Sequence, residues 1–327
     1  MHNRISIGLF LATIVLVTSP FSAGAQSPGG VQYQLVDETM LDSQIPLDSY
    51  DSGWRPSIDH TDTSTQIVFY AGMEGSKQPQ DFGVNANLGG RGSIGLSGPL
   101  VENLGIGYQL GTAFLASANA VQVFELLGAS VDRTQSFTTA GVFQRLDNGF
   151  GWGFTYDFLF QDSFDNFSLG QWRIRLSQEV GATYEIGATV NMGDRLDTGF
   201  FNSTPILIEP IDHFSIYLRK YWQSGANTTL WLGQAQGHSE DNAVVGAQPR
   251  KENTVLFGAE IFAPLNDWVA IYGETNILTP VDTGAVDAYL GVEISTTRVA
   301  YALRSVRYRN FLPIASNSTF TNDLRLR

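Results

Sequence analysis

The charged residues of this chain that could line a binding site or a pore lie in segments with a two-residue period. Residues 170–181 carry Arg173, Arg175 and Glu179 at alternate positions. Alternate residues of a β-strand point to the same face, so these three side chains share one side of a strand. If that side faces an enclosed lumen, the charges either bias the ion selectivity of a pore or form internal ion pairs that keep the strands in register.

Two further ionisable residues, Arg145 and Asp157, lie on the corresponding face of the two preceding predicted strands. Within 149–161, an aromatic residue occupies every second position, and Asp157 stands among the small and polar residues between them. A wholly aromatic face suits lipid, because lipid accepts bulky side chains without shape matching. We therefore predict that the opposite face is internal and that the lumen is lined by Arg145, Asp157, Arg173, Arg175 and Glu179.

The residues predict no catalytic site, no metal site and no cofactor. His213 and Ser215 share a strand face, as a nucleophile and its base would, but no third group is placed to orient them. The acidic residues at 162–165 and 194–197 lack the spacing of an EF-hand loop. The glycine-rich stretch 89–92 is not followed by a helix, as a phosphate-binding loop would be. We therefore expect no enzyme activity. A membrane-embedded hydrolase that uses His213 and Ser215 ranks below the non-enzymatic functions considered at the end of this subsection.

The composition indicates a protein whose apolar and polar residues are interleaved. Of 327 residues, 43% are hydrophobic and 16% are charged, whereas about 25% charged residues are usual. The formal net charge of −13 argues against nucleic acid as a partner. After the N-terminal apolar run, no span of about 18 apolar residues follows, which excludes insertion by α-helices.

The N-terminal region has the features of an export signal. Arg4 precedes an apolar run at 5–17, and small residues at 23–25 form a cleavage pattern. We predict a signal peptide at 1–25 and an acidic, largely unstructured segment at 26–65. A β-barrel is expected at 66–310, with a C-terminal tail or short last strand at 311–327. An exported chain with no cysteine does not depend on disulfides for stability.

Alternating segments begin at residue 66 and continue almost to the C-terminus. Each is roughly the 9–11 residues that a tilted membrane strand needs. Twelve are predicted, with one or two more between 298 and 326: 66–75, 82–96, 104–117, 136–145, 150–161, 170–181, 184–193, 212–222, 227–236, 253–262, 268–277 and 285–295. The fold predicted is all-β, an antiparallel up-and-down transmembrane β-barrel of about 12 to 14 strands.

The links between these segments alternate in length, as they do in outer-membrane barrels with short periplasmic turns. Short links are predicted at 146–149, 182–183, 223–226 and 264–267, and longer ones at 118–135, 162–169, 194–211 and 237–252. This order puts Trp152, Trp222 and Trp268 at the short-turn end and Trp172 at the other end, as in an aromatic girdle. Small inward residues in the third and fifth strands would let the wall curve tightly or let a loop pack inside.

Several segments carry a resemblance to a known group of proteins. They are 83–89, 139–145 with the aromatic strand and Asp162 that follow, 307–311 and 316–320. With these segments, the chain resembles bacterial outer-membrane β-barrels, and more narrowly an uncharacterised family of exported barrel-like proteins. The resemblance implies the fold and brings no assigned activity. Such barrels usually end in a strand that closes on an aromatic residue, whereas the last aromatic residue here is Phe320.

These observations predict a protein of the cell outer membrane. The function expected is a porin-like passive channel for small polar solutes, with the lipid bilayer as its surroundings. Two alternatives remain: a structural or adhesive envelope protein with a blocked lumen, and a soluble exported β-sandwich. The sequence is also compatible with a homo-oligomer.

Overall fold

The computed structural model describes residues 65–78, 85–121, 132–236, 253–279, 285–296 and 306–326. The chain divides into two units, Met1–Gly53 and Trp54–Arg327, and every described residue belongs to the second. The predicted signal peptide at 1–25 and nearly all of the predicted acidic segment at 26–65 lie outside the described residues. Within the described residues, no helix is long and apolar enough to cross a membrane.

Twelve antiparallel strands form one closed barrel, which confirms the predicted fold class. The described strands do not form the two packed sheets of a sandwich. The barrel strands are β1 (Gln66–Lys77), β2 (Ala86–Val101), β3 (Ile106–Val121), β4 (Asp132–Arg145), β5 (Phe150–Asp162), β6 (Asn166–Val180), β7 (Tyr184–Arg195), β10 (His213–Tyr221), β11 (Asn227–Gln236), β12 (Asn253–Pro264), β13 (Val269–Leu278) and β14 (Val286–Ser295). β1 pairs with both β2 and β14, so the barrel has no free edge.

The two ends of the barrel differ in their connections. At one end, called the turn end, short links at 102–105, 146–149, 181–183, 222–226 and 265–268 join successive strands. Gly105, Gly149, Gly181 and Gly225 have positive φ there, which glycine adopts without strain. The opposite end, called the loop end, includes the link between β7 and β10. The predicted longer link at 162–169 is wrong: Asn166 already pairs with Asp162, so three residues join β5 to β6.

The barrel has its apolar face outside and its polar face inside. Leu230 and Phe114 are 63% and 57% exposed on the outer face. Gln109 and Arg133 are buried on the inner face, at 2% and 3% exposure. β5 has the predicted pattern, with its aromatic residues outward and its glycine, threonine and aspartate side inward. This polarity is the inverse of a soluble protein with an apolar core.

A second, three-stranded sheet combines two strands of the loop-end connection between β7 and β10 with one strand near the C-terminus. It consists of β8 (Asp197–Phe201), β9 (Thr204–Pro210) and β15 (Asn322–Leu326), in the order β15-β9-β8. Asn202 and Ser203 both have positive φ, as the tight turn between β8 and β9 requires. β15 is the only strand that the described residues contain after β14, and it pairs with β9 instead of adding to the barrel wall.

The interior of the barrel is occupied by the segment that precedes β15. Twelve strands spaced about 4.8 Å apart and tilted by about 40° give a backbone diameter of about 24 Å. Eight-stranded barrels are filled by their own side chains, so twelve strands leave room for one extended chain. Residues 306–321 take this room, and Ala315, Asn317 and Phe320 among them are fully buried. We call residues 306–321 the plug.

Candidate functional site

The plug runs through the lumen from the turn end to the loop end. Its course follows from its contacts with β4, whose residues approach the turn end as their numbers rise. Arg145, at the turn end of β4, donates hydrogen bonds to the carbonyls of Arg307 and Arg309, at 3.0 and 2.6 Å. Farther along the strand, Thr139 accepts from the Ala315 N–H, and Gln135 pairs with Asn317. The chain therefore crosses the whole barrel before it reaches β15.

Side chains of the wall satisfy the backbone of the plug, which is not part of any sheet. The Gln109 amide accepts from the N–H groups of Phe311 and Leu312 and donates to the Leu312 carbonyl. Gln171 and Asn191 both donate to the Thr319 carbonyl, at 2.9 and 3.0 Å. Buried backbone groups without partners cost free energy, so these inward polar residues make an irregular chain tolerable inside the barrel.

Inward glycines make space for the side chains of the plug. A Cβ atom at Gly153 would lie 2.5 Å from Phe311 Cδ1 and 2.6 Å from Leu312 Cδ1. At Gly111, it would lie 2.5 Å from Cγ1 of Ile314. These distances are too short for real contacts, so the wall at these positions admits glycine alone while the plug is in place. The close internal packing predicted from the small residues of β3 and β5 is confirmed.

The predicted lumen residues Asp157 and Arg173 form a buried ion pair beside the plug. The Arg173 guanidinium group contacts both carboxylate oxygens of Asp157, with Nη2 to Oδ1 at 2.9 Å. Thr139 and Gln171 also donate to this carboxylate, at 2.8 and 3.2 Å. The same Arg173 Nη2 reaches the Pro313 carbonyl at 2.8 Å. The pair thus joins β5 to β6 and fixes the middle of the plug.

The other three predicted lumen residues also lie on the inner side. Arg175 donates to the Phe311 carbonyl and to the Thr189 hydroxyl, both at 3.3 Å. The Arg145 guanidinium group lies 5.1 Å from the centre of the Phe311 ring, a distance typical of a cation–π contact. Glu179 borders the cavity described below. Arg145, Asp157, Arg173 and Arg175 therefore contact one another or the plug.

The four tryptophans of the predicted girdle occupy different levels of the barrel. Trp222 and Trp268 lie in turns at the turn end, and the Lys220 ammonium group lies 4.0 Å from the centre of the Trp222 ring. Trp152 lies near the start of β5 and donates to the Gln144 amide at 2.8 Å. Trp172 lies well inside β6, because that strand begins at Asn166, and its ring stacks on Phe154 at 4.8 Å.

Two apolar clusters close the loop end of the lumen. One joins the barrel wall, the small sheet and the plug: Ala113, Phe137, Leu159, Phe167, Leu169, Ile206, Ile208, Ala315, Phe320 and Leu324. The other lies on the side of β11 to β14 and contains Ile211, Ala235, Leu256, Leu278 and Ala285. Every member of both clusters is at most 5% exposed. Among the described residues, these buried apolar side chains occupy the loop end of the lumen.

Two cavities remain beside the plug. The larger, about 190 Å³, lies at the turn end, extends to the turn at 146–149 and is bordered by wall and plug residues. The smaller, about 60 Å³, lies deeper and shares Arg175, Glu260 and Pro313 with the first. We call them the turn-end cavity and the inner cavity.

His213 and Ser215 border the inner cavity. The His213 ring contacts the Ile211 carbonyl at 3.2 Å, and no hydrogen bond joins it to Ser215 in the part of the chain that the structure describes. In the same part, no three His, Asp or Glu side chains are grouped to hold a metal ion.

The sequence reasoning missed the neutral residues that hold the plug. Gln109, Thr139, Gln171 and Asn191 are inward polar residues on strands whose outer faces are apolar, and this parity was the available signal. The plug covers the end of the predicted barrel region 66–310 and part of the predicted tail or short last strand at 311–327. Nothing local in these segments indicates that they lie inside the barrel.

A closed antiparallel barrel with an apolar outer face and a polar, filled interior belongs to the class of outer-membrane β-barrels. Within this class, the chain belongs to a family of unknown function (DUF6666), whose model matches residues 66–322. The matched region contains all twelve barrel strands and the plug. No curated protein sequence matches the chain.

Several solved barrels are similar to this structure. The COG4313 outer membrane channel from Pseudomonas putida F1 has 12% identity and a TM-score of 0.48, with 71% of this chain and 93% of that chain covered. The translocator domain of the autotransporter NalP from Neisseria meningitidis has 11% identity and a TM-score of 0.45, covering 71% and 88%. Outer membrane phospholipase A from Escherichia coli has 10% identity and a TM-score of 0.37, covering 69% and 95%. At such identities the likeness concerns the fold alone.

Proposed function

We propose that the protein resides in the outer membrane as a β-barrel sealed by its own C-terminal plug. In this view the resting protein is a structural or binding component of the envelope, with the lipid bilayer around its apolar face. The observation that carries the proposal is the plug itself: inward side chains of the wall bind its backbone from Arg307 to Thr319. The apolar clusters at the loop end support a seal, because hydrated ions do not cross apolar contacts.

The porin-like passive channel is the second candidate. It is favoured by the two cavities, which lie next to each other and leave part of the lumen unfilled. In that case small polar solutes would pass only after the plug moves, and the charges at Arg173, Arg175 and Glu179 would then face the path. The two candidates differ in whether the plug leaves the lumen under ordinary conditions.

Planar-bilayer recording separates the two candidates. We expect the full chain to insert without stepwise conductance at low voltage, and a variant lacking residues 306–327 to conduct in steps. Heat-modifiable migration on a detergent gel confirms that both proteins have formed a barrel. Steady conductance of the full chain equal to that of the deletion variant contradicts the proposed seal. An inserted deletion variant that still does not conduct shows that something other than the plug closes the lumen.

A point variant provides a second test if the deletion variant does not form a barrel. Gly153→Leu places a side chain where Phe311 and Leu312 now lie, so the plug is expected to be displaced and conductance to appear. Gly90→Leu is the matched control, because nothing lies within 4 Å of a Cβ atom there. Equal behaviour of the two variants argues against a plug that seals by close packing.

A further inference from the structure

The turn-end cavity contains many charges, and most of them are paired within the wall. Arg91 pairs with Glu74 at 2.9 Å, and Arg309 pairs with Glu293 at 2.6 Å. Glu185 accepts hydrogen bonds from Tyr217 and Tyr221, at 2.9 and 2.8 Å. Arg219 lies 3.5 Å from Glu185 and 3.1 Å from Glu260. Three arginines and four glutamates take part in these contacts, so each of these arginines has a carboxylate partner and the group keeps one net negative charge.

Arg145 and Arg175 are different. Both border the cavity, and neither forms an ion pair with a carboxylate among the described residues. Their partners on the plug are carbonyls of neighbouring residues, Asn310 for Arg145 at 3.4 Å and Phe311 for Arg175 at 3.3 Å. Enclosed charges are normally compensated by an opposite charge. Both guanidinium groups therefore have N–H donors next to the cavity that no carboxylate of the described wall occupies.

Holding the plug does not by itself require arginine. Deeper in the lumen, the plug carbonyls are bound by neutral amides, such as Gln171 and Asn191 at Thr319. Asn276 does the same at the Ser318 carbonyl, at 2.8 Å. Two arginines without carboxylate partners occur where the plug borders the larger cavity. A role beyond binding the plug explains this difference.

We propose that the turn-end cavity binds a small hydroxylated organic anion through its carboxylate, with Arg145 and Arg175 as the binding residues. A guanidinium group has five N–H donors. Arg145 uses three of them and Arg175 uses two, all on neutral oxygen atoms. The remaining donors suit the two oxygen atoms of a carboxylate. Tyr272, Glu260 and Glu293 also border the cavity and are able to hydrogen-bond ligand hydroxyls.

The size of the cavity limits the ligand to a small molecule. The volume of about 190 Å³ corresponds to about six water molecules at about 30 Å³ each. Gluconate is a suitable probe, because it combines one carboxylate with a chain of hydroxyls. Sorbitol is its matched neutral control, since it differs only by a CH₂OH group in place of the carboxylate. The proposal does not depend on whether the plug leaves the lumen, because binding is measured on the sealed protein.

The test is a calorimetric titration of the full chain in detergent with gluconate or sorbitol. We expect gluconate to bind and sorbitol not to bind. Arg145→Gln and Arg175→Gln should each weaken gluconate binding about tenfold or more, because each removes a charge-assisted contact. Lys220→Gln removes a positive charge that lies over the Trp222 ring and outside the cavity lining, and it should change the affinity less than twofold.

Two further variants separate anion binding from plug positioning. Gln109→Ala removes a neutral plug contact without removing a charge, and Gln109 is not part of the cavity lining. Its gluconate affinity is expected to stay within about twofold of the parent. Arg145→Lys and Arg175→Lys keep the charge but lose the forked geometry, so they should bind more weakly than the parent and more tightly than the glutamine variants. They also replace the glutamine variants if those do not form a barrel.

Three results overturn the proposal. The first is the absence of measurable gluconate binding to the full chain. The second is equal binding of gluconate and sorbitol, which shows that the carboxylate is not recognised. The third is an affinity that falls as much in Gln109→Ala as in Arg145→Gln, which shows that the arginines act only by positioning the plug. None of these results depends on conductance, so failure here is distinguishable from failure of the proposed seal.

Discussion

Removing the Asp157 carboxylate should destabilise the barrel strongly, because it leaves a charge buried without its partner. Asp157 is 0% exposed and Arg173 is 2% exposed. In Asp157→Ala, the partner that remains for the Arg173 guanidinium group is the neutral carbonyl of Pro313. Thr139 and Gln171 keep their contacts with the Ala315 N–H and the Thr319 carbonyl. The donors that they direct at Asp157 lose their acceptor, which adds to the loss.

The expected size of the effect follows from the burial of the pair. Breaking a buried ion pair from one side costs about 3–5 kcal/mol, which lowers the folding equilibrium constant by about two to four orders of magnitude. Replacing both residues by apolar ones of similar size removes the uncompensated charge. The double variant Asp157→Leu with Arg173→Met should therefore recover most of the stability lost in Asp157→Ala.

Urea unfolding in lipid vesicles, followed by tryptophan fluorescence, measures these differences. Glu209→Gln is the control, because its partner Arg325 has a side chain that is 36% exposed. Exposed ion pairs contribute up to about 1 kcal/mol, so this variant should stay close to the parent. The reasoning is refuted if Asp157→Ala unfolds within about 1 kcal/mol of the parent, or if the double variant is no more stable than the single one.

Three further predictions concern the plug and the outer face. Ser316→Cys introduces the only cysteine of the chain at a fully buried position of the plug. It should resist maleimide in the folded protein and react after urea treatment. Rapid labelling of the folded protein would contradict the buried plug. In single-tryptophan variants, brominated lipids should quench the fluorescence of Trp222 and spare that of Trp231, whose indole donates to the inward Asn276 at 3.0 Å. Equal quenching would place both side chains on the outer face. Leu232→Arg should cost about 2–4 kcal/mol in lipid unfolding experiments, whereas Leu265→Arg in a turn should cost about 0–1; similar costs would argue against the lipid-facing assignment.

Much of the barrel could be predicted because strand periodicity is a local property. All twelve predicted strand segments correspond to barrel strands, although their ends differ by several residues. The inner position of Asp157 and Arg173 followed from parity alone, because successive side chains in a strand point to opposite faces. That these two residues form an ion pair depends on the register of β5 against β6, which sets Asp157 beside Gln171 and Thr155 beside Arg173. The alternation of residues within each strand does not determine how two strands are aligned with each other.

The predictions failed where a segment depends on distant partners. The sequence predicts a longer link at 162–169, but β6 already begins at Asn166. In the structure, Phe167 and Leu169 are buried in the loop-end cluster with Ile206 and Phe320, and this packing extends β6. The sequence predicts a C-terminal tail or short last strand at 311–327, and its position depends on distant contacts: β15 pairs with β9, and Leu324 is buried in the same cluster.

The sequence by itself determined that this protein is an antiparallel barrel with apolar side chains outside and polar ones inside. The alternation of apolar and polar residues, the turn residues and the glycine-rich inner faces are all local features of the chain. Only the tertiary structure decided what fills the barrel. The contacts that place the plug join residues far apart in the chain, such as Thr139 and Ala315 at a separation of 176 positions. A buried backbone needs a partner for each polar group, and those partners exist only once the wall has closed around the plug.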